Sequence, residues 1–202
     1  MIYESTPLLT TNRLILRKYT EDDLPDLFEL LRDPQVNTFL PWFPAGTTED
    51  AHRFLHERFL SQYQKPSSYS YAVCLKESGH AIGYVCLSDQ ESHDLGYALR
   101  KEYWRLGIMT EAAAAVVRRV KEAGYPYITA THDRKNPASG MVMKRLGMTY
   151  RYSYVEQWQP KNIPVTFRMY QLNFDKDTKY TYMEYWNRYP IHFIEEIPEQ
   201  DR

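Results

Sequence analysis

The residues between Tyr97 and Gly124, YALRKEYWRLGIMTEAAAAVVRRVKEAG, carry the plainest chemistry in the chain. They read as a strand end, a tight loop containing glycine, and a helix. Backbone N–H groups in such a loop, joined to the positive end of a helix dipole, bind anions and above all phosphate. Thr110 stands at the expected N-cap, Glu111 puts a carboxylate in the first turn, and Gly124 follows the last turn as a stop. The run Ala112–Ala115 favours the helix and lets neighbours approach closely. A mononucleotide P-loop is excluded, because no Gly-Lys-Ser/Thr follows Gly107–Met109. Glu91, His93 and Asp94 precede the stretch. They are candidate proton acceptors, His93 for its ordinary pKa range, and equally ordinary turn residues.

Composition bounds the setting. A chain of 202 residues with 43% hydrophobic content suits one α/β domain, or one domain with an appendage. The net charge of -1 supplies no basic field to gather nucleic acid. Tyrosine dominates the aromatics, 18 Tyr against 8 Phe, and phenol rings suit pocket walls and half-wet surfaces. The two cysteines, Cys74 and Cys86, fall in predicted strands, with neither zinc spacing nor a secreted disulfide pattern. No metal site is expected. No signal peptide and no long apolar run are present, so a cytoplasmic protein without a membrane partner is expected.

The positioning elements follow from periodicity. Asn12–Tyr19 alternates as a strand. Thr20 caps a helix with Asp23 three residues on and a stripe of Leu24, Leu27, Phe28, Leu30 and Leu31. Gln35–Gly46 is an ordered aromatic loop, either a plug over the core or a pocket wall. Thr47 or Thr48 starts a second helix carrying Phe54, Leu55, Phe59 and Leu60. Ser68–Leu75 and Ala81–Ser88 form a hairpin, and Asp94–Leu99 is a third short strand. Tyr125–Thr131 is a strand with Pro126 at its start. Asn136–Leu146 is a helix with Pro137 in its first turn and Gly147 as its stop. Met148–Trp158 and Val165–Phe174 alternate as a final hairpin around Gln159–Asn162. The order β-α-α-β-β-β-α-β-α-β-β predicts an α/β fold. Its central sheet is mixed, mostly antiparallel and twisted, with about seven strands and about four flanking helices. The strands either side of the central helix are expected as parallel neighbours. A domain over 1–175 would then carry an aromatic, finally acidic extension over 176–202, packed on the domain or on a partner subunit such as a second copy.

Four pieces in this order make the chain similar to the GCN5-related N-acetyltransferase (GNAT) superfamily, and within it to the RimJ/RimL-like group. Leu9–Arg17 (LTTNRLILR) resembles the opening strand. Gly96–Leu99 followed by Glu102–Ala112 (EYWRLGIMTEA) resembles the acetyl-CoA pyrophosphate loop. Asn136–Ser139 (NPAS) resembles the N-x-x-S that opens the next helix, and Leu146–Met148 (LGM) the L-G-aromatic turn. The likeness spans roughly Leu9–Phe174.

The resemblance implies a GNAT fold, acetyl-CoA as cosubstrate, and direct acetyl transfer to a primary amine, either a protein N-terminus or a small molecule. A non-catalytic acyl-CoA-binding or interaction module on the same fold is the alternative. Tyr97, Ala98 and Leu99 would line the pantetheine side. Trp104, Arg105, Leu106, Gly107, Ile108, Met109 and Thr110 would form the pyrophosphate side. Met109 stands where the family prefers Gly or Ala, so its side chain must turn away from the phosphates. Asn136 would contact pantetheine while capping its helix. The family's usual thiolate-protonating tyrosine corresponds to Met143 here. Ser139 is implied in that role, or is simply a first-turn serine. Glu156 is the implied base, ahead of His93 and Asp94. Arg118, Arg119, Lys121, Arg134 and Lys135 could meet a 3′-phosphate or be solvated charges.

Overall fold

Alternation and capping shape the first third of the chain in the computed structural model, which describes residues 5–65, 69–175 and 178–196. Ser68 and the acidic residues after 196 lie outside the described residues. Strand β1 (Leu9–Thr10) turns back on β2 (Leu14–Arg17), whose Leu14 and Leu16 are fully buried while Ile15 and Arg17 alternate with them. Thr20 and Asp23 form the expected capping box on a 3-10 turn, and Arg17 holds the Asp23 carboxylate with two 2.7 Å hydrogen bonds. Helix α1 (Leu24–Arg32) then buries Leu27, Leu30 and Leu31. Helix α2 (Thr48–Arg58) starts on a second capping box, Thr47 with Asp50. It ends at Arg58, so Phe59 and Leu60 fall in the cap and a following 3-10 turn rather than on the helix.

Strands β3 (Tyr69–Leu75), β4 (Ala81–Leu87) and β5 (Leu95–Leu99) continue antiparallel from β2 to give a five-stranded sheet, β1-β2-β3-β4-β5. Helices α1 and α2 cover one face through Leu27, Leu30, Ala51 and Leu55. Helix α3 (Ile108–Glu122) covers the other through Ala112, Ala113, Val116 and Val120. Strand β6 (Tyr127–Asp133), helix α4 (Pro137–Arg145), strands β7 (Thr149–Trp158) and β8 (Ile163–Asn173), helix α5 (Glu184–Arg188) and strand β9 (His192–Phe193) complete the chain. A second sheet runs β6-β8-β7-β9.

The mixed α/β class is as expected, but the strands fall in two sheets rather than one. Strands β5 and β6 touch in parallel only at Asp94 and Thr129, then diverge. The pairing of β5 explains what that leaves open. Arg100 N–H donates to the Ile82 carbonyl and Ser88 N–H to the Asp94 carbonyl. This parity turns Gly96 and Ala98 toward β4 and the backbone groups of Leu95, Tyr97 and Leu99 toward the gap. A polar strand edge is left facing a cleft.

Glycine at 83 permits the close β4–β5 approach beside that cleft. A Cβ there would collide with the Ala98 carbonyl oxygen and meet Leu99 Cα at 3.1 Å, neither of which can yield as a side chain would. Gly83→Ala is therefore expected to destabilise the fold by about 1–3 kcal/mol, the usual cost of overpacking. Urea denaturation checks this as a lower midpoint at unchanged slope.

Candidate functional site

At the cleft's wide end the loop Trp104–Gly107 reverses the chain through two left-handed residues, Arg105 at φ 61 and Gly107 at φ 73. Gly107, not Thr110, is the N-cap of α3, and Thr110 is its third residue. The cause is packing: Ile108 and Met109 both sink into the main core, which draws the helix start three residues upstream. Met109 is only 7% exposed and packs into the main core. The first-turn N–H groups of α3 have no acceptor within the helix and point with its dipole into the cleft.

This geometry is held from outside. Glu111 accepts hydrogen bonds from the Thr11 hydroxyl (2.6 Å), the Arg13 N–H (2.9 Å) and Arg13 Nε (2.7 Å). Arg13 also donates to the Leu106 carbonyl at 2.9 Å. Burial works to raise the Glu111 carboxyl, yet the Thr11 and Arg13 donors outweigh it and hold it below the usual range. Trp104 Nε1 donates to the Leu99 carbonyl at 2.7 Å, tying the loop back to β5.

A cavity of about 1320 Å³ runs along the cleft. Tyr97, Ala98, Leu99, Trp104, Arg105, Gly107, Ile108, Met109, Thr110, Asn136, Ser139 and Glu156 all line it. Leu106 does not; its side chain is exposed and its carbonyl belongs to Arg13. Asn136 caps α4 by accepting from the Ser139 N–H. Tyr97 reaches across the opening, its hydroxyl 3.0 Å from Ser139 Oγ and donating to the Ser139 carbonyl at 2.9 Å. Burial pushes the Tyr97 phenol up, so it stays protonated at neutral pH. Met143 is buried in the core beneath this pair.

The other end is aromatic and acidic. Alternation on β7 turns Tyr154, Glu156 and Trp158 inward, and Phe167 joins them from β8. Trp42 and Phe54 stand opposite, so the Gln35–Gly46 loop is core cover and pocket wall at once. Lys161 at the β7–β8 turn donates to the Asn37 and Thr38 carbonyls at 2.7 and 2.9 Å, clasping the two walls together. Asp94 also lines the cavity; burial pushes its carboxyl up to about 7, against a weaker opposing effect of the Thr129 hydroxyl. His93 does not line it. Its ring packs on Tyr125 and Tyr127, and burial lowers its pKa. None of Arg118, Arg119, Lys121, Arg134 and Lys135 lines the cavity; Arg105 and Arg145 do. Sequence reasoning missed Arg13, Arg145, Tyr154 and Tyr185 as site-forming residues. Only the aromatic density of the last 27 residues signalled one of them.

Comparisons with known proteins bear on the family and the fold. A family model described as an acetyltransferase (GNAT) domain matches residues 13–149. An uncharacterized N-acetyltransferase of Bacillus subtilis, YnaD, is 27% identical over 157 residues, spanning 76% of this chain and 88% of that protein. A GNAT-family acetyltransferase structure from Bacillus anthracis aligns at TM-score 0.74 and 21% identity, covering 84% of this chain and 100% of that one. The structure of RimL, a ribosomal L7/L12 alpha-N-protein acetyltransferase in complex with coenzyme A, aligns at 0.72 and 18%, covering 85% and 100%. Among the described residues no helix is long and apolar enough to cross a membrane, and no cluster of His, Cys, Asp and Glu could hold a metal ion.

The raised Asp94 carboxyl has a thermodynamic signature. Between the ordinary aspartate range and pH 7 the folded chain keeps a proton that the unfolded chain has lost, so stability falls as pH rises through that window. Asp94→Asn removes the penalty. It is expected to melt above the parent protein at pH 8, with the gap closing below about pH 4. Calorimetric scans across pH check the sign.

Proposed function

The chain belongs to the GNAT acetyltransferase domain family, and on that premise we propose that it transfers the acetyl group of acetyl-CoA to a primary amine by direct attack. The observation that carries this reading is the cleft itself. One end offers the free amides of α3's first turn, the middle offers a polar strand edge, and the far end offers two carboxyl groups. The loop fits a pyrophosphate, since Gly107 takes the left-handed turn that opens α3 and the first-turn amides after it have no acceptor within the helix. Arg105 and Arg145 would add charge there. Asn136 and the edge of Tyr97–Leu99 would bind the pantetheine arm.

The chemistry follows from that order. The acceptor must lose a proton to attack, and Asp94, held near 7, suits that task at neutral pH. Glu156 faces the same space and would hold the amine for attack. The amine nitrogen bonds to the thioester carbon, and the N–H groups of β5's open edge stabilise the oxyanion. The C–S bond then breaks. Ser139, 3.0 Å from the Tyr97 hydroxyl, would protonate the thiolate and be re-protonated from water, while the cationic nitrogen of the intermediate gives up its second proton to solvent. Direct transfer leaves no part for a cysteine nucleophile; burial pushes the Cys74 thiol up to about 11 and Cys86 to about 12.

The neighbouring RimL structures are named for protein amino termini, so a protein N-terminus is one acceptor class. A small primary amine is the other acceptor class, and the Lys161 clasp, which ties the β7–β8 turn to the Asn37–Thr38 wall, would limit how far that wall can open to a bulkier acceptor.

Titration calorimetry with acetyl-CoA, paired with thiol release over a panel of spermidine, glucosamine, phenethylamine and a seryl peptide, tests the reading. Binding with turnover of at least one amine is expected. Binding without turnover would favour a non-catalytic acyl-CoA module, and no binding would refute the placement of the cofactor. Gly107→Trp should abolish binding. Ser139→Ala should keep acetyl-CoA affinity while lowering kcat roughly 100-fold, at the low end for a general acid.

A further inference from the structure

The segment after β8 is anchored at both ends. At its start, Gln171 accepts from the Tyr182 N–H at 2.9 Å and donates to the Tyr180 carbonyl, and Tyr152 donates to the Tyr182 carbonyl at 2.7 Å. At its end, β9 pairs with β7 through Ser153–Phe193 and Tyr154–His192, and Glu195 accepts from Ser153 and Arg168. Between the anchors, α5 delivers Tyr185 to the cavity wall. Its ring stacks on Tyr154 at 5.2 Å and 28°, and Tyr189 stacks there too at 4.7 Å and 12°. Tyr189 also sets its hydroxyl against Glu156.

Asp94 sits where these pieces converge. Cys86 from β4, Tyr97 from its own strand, Tyr154 from β7 and Tyr185 from α5 line the same cavity as Asp94, and Thr129 Oγ1 from β6 lies 3.3 Å from its carboxylate. All five are neutral at pH 7, and among the described residues no ion pair reaches the carboxyl, although Arg58 of α2 lines the same cavity and acts on Cys86. Water entering the cavity would stabilise the charged carboxylate, and the phenol wall bounds that cavity.

We propose that Tyr185 is a positioning residue for acetyl transfer, and that the C-terminal segment, by closing the wall over Asp94, sets the pH at which the acceptor amine is activated. The inference rests on the acetyl-transfer reading and deepens it. It makes the extension after residue 175 a working part of the acceptor site rather than a cover for the sheet. Replacing the ring by a small side chain admits water, favours the charged carboxylate and brings Asp94 back toward the ordinary aspartate value of about 3.9. A phenylalanine keeps the ring and the shielding.

The test is a carbon-13 NMR pH titration of aspartate carboxyls in the whole protein, with Asp94→Asn to identify the resonance. The expected midpoint lies near 7 for the parent protein and for Tyr185→Phe, and at least one unit lower for Tyr185→Ala. An Asp94 midpoint in the ordinary range for the parent, which needs no variant of Tyr185 to fold, overturns the proposal. So does an unmoved midpoint in Tyr185→Ala or, should that variant not fold, in Tyr185→Ser. In parallel, kcat/KM against pH is followed with spermidine and the seryl peptide. The acid limb should move down with the titration in Tyr185→Ala, whereas a merely structural role would lower the rate equally at every pH. A carboxyl that shifts while the limb stays fixed also overturns the proposal. Acetyl-CoA bound with no thiol release on any amine defeats the transfer reading separately.

Discussion

Glu111 ties the amino end of α3 to the β1–β2 turn, and the cofactor half of the site depends on that tie. Its carboxylate takes donors from Thr11 and Arg13, and Arg13 spends a further N–H on the Leu106 carbonyl. The same carboxylate sits in the helix's first turn, where negative charge is favoured by the dipole. Three constraints thus meet at one group: the helix start, the loop's shape and the position of both against the sheet. The first-turn amides are left without protein acceptors because Glu111 is occupied by side chains and backbone from another element. A loop with left-handed residues at 105 and 107 would otherwise have little reason to hold one conformation.

The cleft follows from the same economy of pairing. Strand β5 satisfies its β4 side completely and leaves the other side to the gap. On that side the Leu99 carbonyl is taken by the Trp104 indole. Tyr97 bridges the gap with a side chain where backbone pairing stops. The match to the family model ends at residue 149, at the start of β7. The cavity-lining residues Tyr154, Glu156, Trp158 and Tyr185 therefore lie outside it.

What was legible in the sequence was local. Thr20–Asp23, Pro137, Gly124 and Gly147 mark their helix ends, and Thr47 or Thr48 the start of α2, because caps and stops depend on near neighbours. The glycine-containing loop before α3 was legible for the same reason. The start of α3 was not, because burial of Ile108 and Met109 outweighed the capping preference of Thr110. The split into two sheets was not either, since periodicity reports which face of a strand is buried and not which edge is paired. Arg13, Asp94 and Tyr185 gain their roles from contacts up to 98 residues away in the chain, and no spacing rule encodes those. Glu156 was reached through the resemblance, and the inward alternation of β7 brings it to the cavity.

The central claim is that backbone amides at the start of α3, fixed by Glu111, are the anion-binding groups. The most direct measurement is an amide proton–nitrogen NMR titration with acetyl-CoA. The account predicts that the N–H resonances of Gly107, Ile108, Met109 and Thr110 shift downfield together and saturate at one equivalent, with dephospho-CoA giving the same pattern because the pyrophosphate is retained. Binding that leaves these four resonances unmoved would contradict it.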